Sequence, residues 1–191
     1  MPDEPALQLV WPSVEHLPGY IDALQRGWSS DNLRGEVAAR EALEEIERDP
    51  VAYVAGLVDR EARGGPITLP DGSQVARIPG LHRWLWDGEF CGSIGLRWQR
   101  GTEALPPHCL GHIGYAVVPW KQGRGYAKKA LHDILPYARA EGLAYVEITT
   151  DPSNVPSQRV IRANGGMLFE QFRKPAQFGD VPGLRFRIAL R

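Results

Sequence analysis

Three things are scarce in this 191-residue sequence, and each scarcity removes a class of protein. Cysteine occurs twice, as Cys91 and Cys109. Both sit in or beside apolar stretches without metal-like spacing, which reads as buried free thiols in a reducing compartment. Long hydrophobic runs are missing, since no stretch approaches the ~20 residues that a membrane-spanning helix requires. An excess of one charge is missing too. Twenty-two Lys and Arg against 23 Asp and Glu leave a net charge of −1, so no basic footprint marks the chain for nucleic acid. The opening MPDEPALQLV has no basic region followed by an apolar core, which predicts a cytoplasmic protein without a signal peptide. Repeats and low-complexity tracts are absent as well.

What is present reads as a globular chain. Hydrophobic residues make up 43% and charged residues 24%, a balance that suits one domain with a sizeable core. Residues 1–65 read as mainly helical. A short strand at Leu7 to Val10 precedes a helix entry capped by Ser13, and Pro18-Gly19 is expected to divide the helical segment in two. Ala39, Ala42, Leu43 and Ile46 recur at helical spacing within Gly35 to Arg48, and Asp49-Pro50 opens a third helix expected to reach about Arg60. After Gly64-Gly65-Pro66 the pattern turns strand-like. Ile67 to Leu69 and Gln74 to Ile78 flank a turn at Pro70-Asp71-Gly72-Ser73, and Leu81 to Trp86 and Glu89 to Trp98 flank Asp87-Gly88. Gln99 to Cys109, with Pro106 and Pro107, predicts a surface loop near a site.

The stretch from His112 to Glu141 organises the rest. Ile113 to Val118 is an apolar, β-branched run that predicts a buried strand. Pro119 ends it, because proline has no N–H for a sheet ladder. Gln122-Gly123-Arg124-Gly125-Tyr126-Ala127 follows, and Ala127, Ala130, Leu131, Ile134, Leu135 and Ala138 then mark one face of a helix that contains Pro136. Glycines let backbone N–H groups turn inward, and a helix N-terminus adds a partial positive charge. The loop therefore predicts a phosphate cradle. The lysine–serine pair of ATP- and GTP-binding loops and the three spaced glycines of dinucleotide folds are both missing.

What the loop does contain is Gln-x-x-Gly-x-Ala, from Gln122 to Ala127. This resembles the acyl-CoA pyrophosphate loop of the GNAT N-acyltransferase superfamily, and the resemblance continues downstream. A strand at Tyr145 to Thr150 precedes Asn154-Val155-Pro156-Ser157, which opens a helix. Asn164-Gly165-Gly166 closes that helix, and strands follow from Met167 and over Arg185 to Leu190. The family's order is matched across about Ala76 to Arg191. The resemblance implies an α/β (α+β) fold, with a mixed, mostly antiparallel sheet of about seven strands and helices on both faces. It implies one domain over residues 1–191, with a cofactor-binding core at 76–191 and the helical 1–65 on the acceptor side. It also implies acetyl-CoA as co-substrate, no metal, and a primary amine of a small molecule or peptide attacking directly in a ternary complex. No nucleic acid or membrane partner is expected, and a homodimer is a candidate assembly.

The resemblance assigns residues as well. The backbone of Val117 and Val118 would hold the pantetheine arm, and amides from Gln122, Gly123, Arg124, Gly125, Tyr126 and Ala127 would hold the pyrophosphate. Asn154 and Ser157 would lie beside the pantetheine, and helix capping explains Asn154 equally. Acyl transfer to an amine needs a deprotonated nucleophile, a donor for the carbonyl oxygen and a proton for the leaving thiolate. The family's usual oxyanion donor is a backbone N–H near Val117. Ile161 stands where many members carry a proton-donating tyrosine, which leaves Tyr115 and Tyr126 as substitutes. Two residues compete for the base: Glu147, a carboxylate within an otherwise buried strand, and His112, with an ordinary pKa of about 6.5. His82 and His108 read as strand-surface and loop residues. Trp84, Trp86 and Trp98 read as cross-strand pairing around the hairpin, with an acceptor pocket as the alternative. The missing tyrosine also allows a second reading, an acyl-CoA-binding module without activity.

Overall fold

The computed structural model describes residues 6–69 and 72–190. The chain opens as a short strand, β1 (Gln8–Val10). Ser13 then caps one 3-10 turn by accepting the His16 N–H, and α1 (Leu17–Gln25) continues directly from it. Pro18 and Gly19 do not divide this segment as expected. Pro18 falls in the first turn of α1, where a missing N–H leaves nothing unpaired, so the helix runs on. α2 (Glu36–Arg48) follows, and Asp49 opens α3 (Pro50–Gly56) by accepting the N–H groups of Val51 and Ala52. α3 ends at Gly56 rather than near Arg60, because Val58–Asp59 (β2) pairs with β5 (Gly80–Trp86). Ladder formation wins there over a helix that Gly56 already weakens.

β3 (Ile67–Thr68) and β4 (Gln74–Val75) form a small hairpin, and the Pro70-Asp71 part of its turn lies outside the described residues. β5 and β6 (Phe90–Arg97) form the hairpin expected about Asp87-Gly88. β1, β5, β6 and β7 (Ile113–Val117) lie in that order, with β2 also on β5. A second sheet runs β8 (Tyr145–Thr150), β10 (Pro182–Ala189), β9 (Met167–Arg173). All of these ladders are antiparallel. The fold agrees with the mixed, mostly antiparallel α/β expectation. The described residues hold ten strands rather than about seven, since three two-residue strands add to the count.

The division between the two sheets falls where the chain crosses from β7 through α4 (Tyr126–Ala140) to β8. A helical crossover is what parallel neighbours require. The strands meet just before β7 begins. The His112 N–H donates to the Glu147 carbonyl at 2.7 Å, and the Glu147 N–H donates to His112 Nδ1 at 2.9 Å. Beyond that point no ladder joins β7 to β8. Gly111 sits at the closed end: a Cβ there would stand 3.0 Å from the Glu147 carbonyl oxygen and 3.3 Å from the Thr149 nitrogen. The strand opening is thus set by one tight contact and released after it.

Hydrophobic packing holds the split from both sides. α4 continues through Pro136 and buries Ala130, Leu131, Ile134 and Ala138 against Ile94, Ile113, Ile148 and Phe186. α5 (Val155–Ala163) adds the fully buried Ile161 to this cluster. On the other face of the first sheet, Tyr20, Leu24 and Trp28 join Ala39 and Ile46 of α2 over Trp84, Phe90 and Val118. Among the described residues, no helix is long and apolar enough to cross a membrane.

A branched side chain at Gly111 meets β8 backbone, which cannot move aside as a side chain can. Gly111→Val is expected to destabilise the fold by about 1–3 kcal/mol, the range for overpacking. Gly65→Ala, with nothing within 4 Å of its would-be Cβ, serves as the control. Urea unfolding of both variants checks the contrast.

Candidate functional site

Where β7 and β8 part, a cleft of about 1200 Å³ opens. Ile113, Tyr115 and Val117 line it from the β7 face that packs toward α4, while Gly114 and Ala116 line it from the opposite face. The cleft therefore passes through the split in the sheet rather than lying on one side of it. Ile148, Thr149 and Thr150 of β8 form the facing wall.

The glycine loop forms one mouth of this cleft. Gly123 (φ +80°) and Gly125 (φ +79°) both occupy the left-handed region that side chains avoid. Gly125 is the N-cap of α4, and no side chain caps that end. The first N–H groups of a helix have no partner inside it. Here they belong to residues that line the cleft, Tyr126, Ala127 and Lys128, at the end of a 15-residue helix whose dipole favours negative charge. Gln122 ties the loop back to the strand, its Nε2 donating to the Val117 carbonyl at 3.3 Å. The Val118 N–H is already given to the Cys91 carbonyl at 3.0 Å, and its side chain is fully buried.

A second device fixes the loop. Asp87, in the turn of the β5–β6 hairpin, takes Lys121 Nζ at 3.0 Å on each carboxylate oxygen and the Tyr126 hydroxyl at 2.6 Å. One buried carboxylate therefore grips the residues on both sides of Gly123 and Gly125. Burial by itself would raise the Asp87 pKa. The hydrogen bond from Tyr126 and the bonds and charge of Lys121 outweigh it and hold the carboxyl below its usual range.

Tyr115 and Ser157 face each other across the cleft. The Tyr115 hydroxyl lies 2.9 Å from Ser157 Oγ, and burial raises the Tyr115 pKa, so the phenol keeps its proton at neutral pH. Asn154 accepts the Ser157 N–H at 3.1 Å and also lines the cleft, so capping and lining coexist in one side chain. Ile161 is fully buried with no surface on the cleft.

The two candidate bases lie elsewhere. The Glu147 carboxylate is paired with Arg187 at 2.7 Å and Arg185 at 3.6 Å, and it does not line the cleft. His112 is fully buried. Its Nδ1 accepts the Glu147 N–H, which puts the ring proton on Nε2, and burial lowers its pKa. Both residues belong to the closed end of the split. The Tyr126 hydroxyl is spent on Asp87. Trp84, Trp86 and Trp98 are absent from the lining. Trp84 stacks on Tyr20 at 4.8 Å, and Trp86 meets His16 edge-on at 4.5 Å.

Among the lining residues that were not singled out as functional from the sequence are three that carry polar rings or charge on the first sheet's side: His82, Arg97 and His108. The signal was present in the hairpin. The register set by Asp87-Gly88 places His82 opposite Gly95, and Arg97 two residues further on the same face. Burial first, then the nearby Arg97 charge, push the His82 pKa down to about 4, so its ring is neutral at physiological pH. Among the described residues, no three His, Cys, Asp or Glu side chains come together as a metal site would need.

Residues 74–167, the span that contains the hairpin, the split, the glycine loop and Asn154, match the family model of the GNAT acetyltransferase domain. That span is a GNAT acetyltransferase domain. The fold around it is shared well beyond those residues. The microcin C7 self-immunity acetyltransferase MccE, solved with acetyl-CoA and AMP, has a TM-score of 0.62 at 13% identity, over 98% of this chain and 93% of its own. RimJ of Mycobacterium smegmatis, solved with CoA-disulfide, has a TM-score of 0.62 at 19% identity, over 97% and 83%. A putative GNAT-family acetyltransferase from Bordetella pertussis has a TM-score of 0.59 at 20% identity, over 96% and 95%. No curated protein matches the sequence.

The clamp on the GNAT glycine loop yields a pH-dependent expectation. Asp87→Asn removes a charge-assisted set of bonds and should cost roughly 1.5–3 kcal/mol at neutral pH. Because the Asp87 pKa is depressed in the fold, its contribution is complete above the unfolded value of about 3.9. It is lost as pH falls through the lower folded value. Denaturation of both proteins from pH 7 down to pH 3 should show the difference shrinking at the acid end.

Proposed function

We propose that the protein transfers the acetyl group of acetyl-CoA to a primary amine of a small molecule or peptide, by direct attack in a ternary complex. The observation that carries this is the split between β7 and β8, opening beside an uncapped helix N-terminus. The residues present fit the co-substrate. No atom lies within 4 Å of a would-be Cβ at Gly123 or Gly125, so the loop has room for a diphosphate against its N–H groups. Lys128 lines the same mouth and adds positive charge. The end of β7 at Val117 presents the backbone edge along which a pantetheine arm would lie. Bound there, acetyl-CoA supplies an activated acyl group.

In this reading Tyr115 is the proton donor to the departing sulfur. It supplies the hydroxyl that Ile161 cannot, its raised pKa keeps the proton available, and Ser157 fixes its direction. Glu147 and His112 take positioning roles: their paired bonds hold the point from which the strands diverge. The acceptor enters on the face away from α4. There the loop after α1 (residues 28–33) and the connection between β9 and β10, through Lys174 and Phe178, line the same cleft. The helical N-terminal third would then belong to acceptor binding.

Acetyl-CoA at 100 times its Kd is expected to stabilise the fold by about 2.7 kcal/mol. Gly125→Val, which puts a β-branched residue at positive φ, should remove that stabilisation. Tyr115→Phe should keep it while slowing thiol release from acetyl-CoA by about 10²–10⁴-fold, the usual share of an acid catalyst. Stabilisation with no thiol release across an amine panel would make the protein a binding module instead.

A further inference from the structure

We infer that the acceptor amine carries an anionic oxygen group, a carboxylate or a phosphate, which seats on Arg97. The inference rests on the acetyl-transfer reading above and specifies its substrate class. On the face of the first sheet away from α4, His82, Gly95 and Gly114 stand side by side across β5, β6 and β7. The two glycines leave a flat floor, and polar side chains lie on it. A Cβ at Gly95 would stand 2.9 Å from His82 Nε2, and one at Gly114 would stand 3.2 Å from an Arg97 guanidinium nitrogen. Both side chains line the cleft.

Charge balance singles out Arg97. Lys121 is paired with Asp87 and Glu89, and Lys174 with Asp151. Asp31 gives its oxygens to the N–H groups of Leu33 and Arg34 and to the Arg34 side chain. Lys128 stands at the opposite mouth, on α4. Among the described residues, no carboxylate comes within ion-pair distance of Arg97. Open to water, an unpaired guanidinium costs nothing. Once an acceptor fills the cleft and displaces that water, it needs an anion.

The neighbouring histidines fit the same ligand. His82 Nδ1 lies 3.3 Å from the Leu57 carbonyl, which can only accept, so Nδ1 carries the proton and Nε2 holds a lone pair. That lone pair suits an amine N–H. His108 Nε2 is buried without a hydrogen-bond partner at the same end. A simple alkylamine would satisfy His82 and leave Arg97 without a counter-charge. A polyamine would be repelled by it. An amine with an anionic group a few bonds away answers both.

The test uses matched acceptor pairs and acetyl-CoA, with thiol release as the readout. One arm sets amino acids against their amides, and the other sets aminoalkyl phosphates against the corresponding amino alcohols. In at least one arm the anionic member should have the higher kcat/KM by about tenfold or more, and the arm that responds identifies the group. Arg97→Gln should collapse that ratio toward one, and Arg97→Lys should keep part of it. Acetyl-CoA stabilisation, measured on the same samples, separates the two readings. If acetyl-CoA fails to stabilise the wild type, the transfer reading falls. If it stabilises but neutral acceptors match or exceed anionic ones in both arms, this inference alone is overturned. Arg97→Gln slowing both members of a pair by the same factor also overturns it.

Discussion

Two hydrogen bonds between His112 and Glu147 decide what the rest of this molecule can be. They join the strands on either side of α4 at one point, and nothing continues the ladder after it. A sheet that stays paired offers no interior to a ligand. A sheet that never pairs offers no fixed wall. Meeting once and then diverging gives a rigid opening whose edges are backbone, backed on one side by the α4 cluster that includes Ile113 of β7 and Ile148 of β8. The polar character of the two residues follows from this task. His112 is wholly buried and Glu147 is occupied by two arginines, so both serve the junction rather than the space beyond it.

The glycine loop is constrained from the opposite direction. Left-handed glycines make a turn easy to form and also easy to deform. The Asp87 carboxylate removes that looseness by gripping Lys121 before the glycines and Tyr126 after them. A hairpin turn distant in sequence thereby becomes part of the glycine-loop end of the cleft. The same aspartate that favours the turn between β5 and β6 supplies the clamp, so local and long-range demands fall on one side chain.

The parts legible in the sequence were those with local causes. Strand, proline stop, glycine loop and amphipathic helix followed each other as read, as did the hairpin about Asp87-Gly88 and the cap at Asn154. Tyr115, Val117, Gln122 and Ser157 line the cleft, and each was named from the sequence. What could not be read depended on pairing between distant segments. α3 ends early because β2 finds β5. Glu147 looked like a lone carboxylate because Arg185 and Arg187 reach it only through the β8–β10 register. His82 looked like a strand-surface residue, and Arg97 drew no reading, because the glycines that give them a floor lie on neighbouring strands. Spacing along the chain shows none of this.

The alternation of β7 has a consequence for how such a protein diversifies. Odd-numbered residues of this strand look toward the α4 side of the opening, and even-numbered ones look the other way, although all belong to the same five-residue segment. The two sides of the opening are therefore encoded by parity. Substitutions confined to even positions, and to their cross-strand partners on β5 and β6, would reshape one chamber while leaving the other untouched. A strand built this way lets one side of the opening be recut while the wall on the other side keeps its shape.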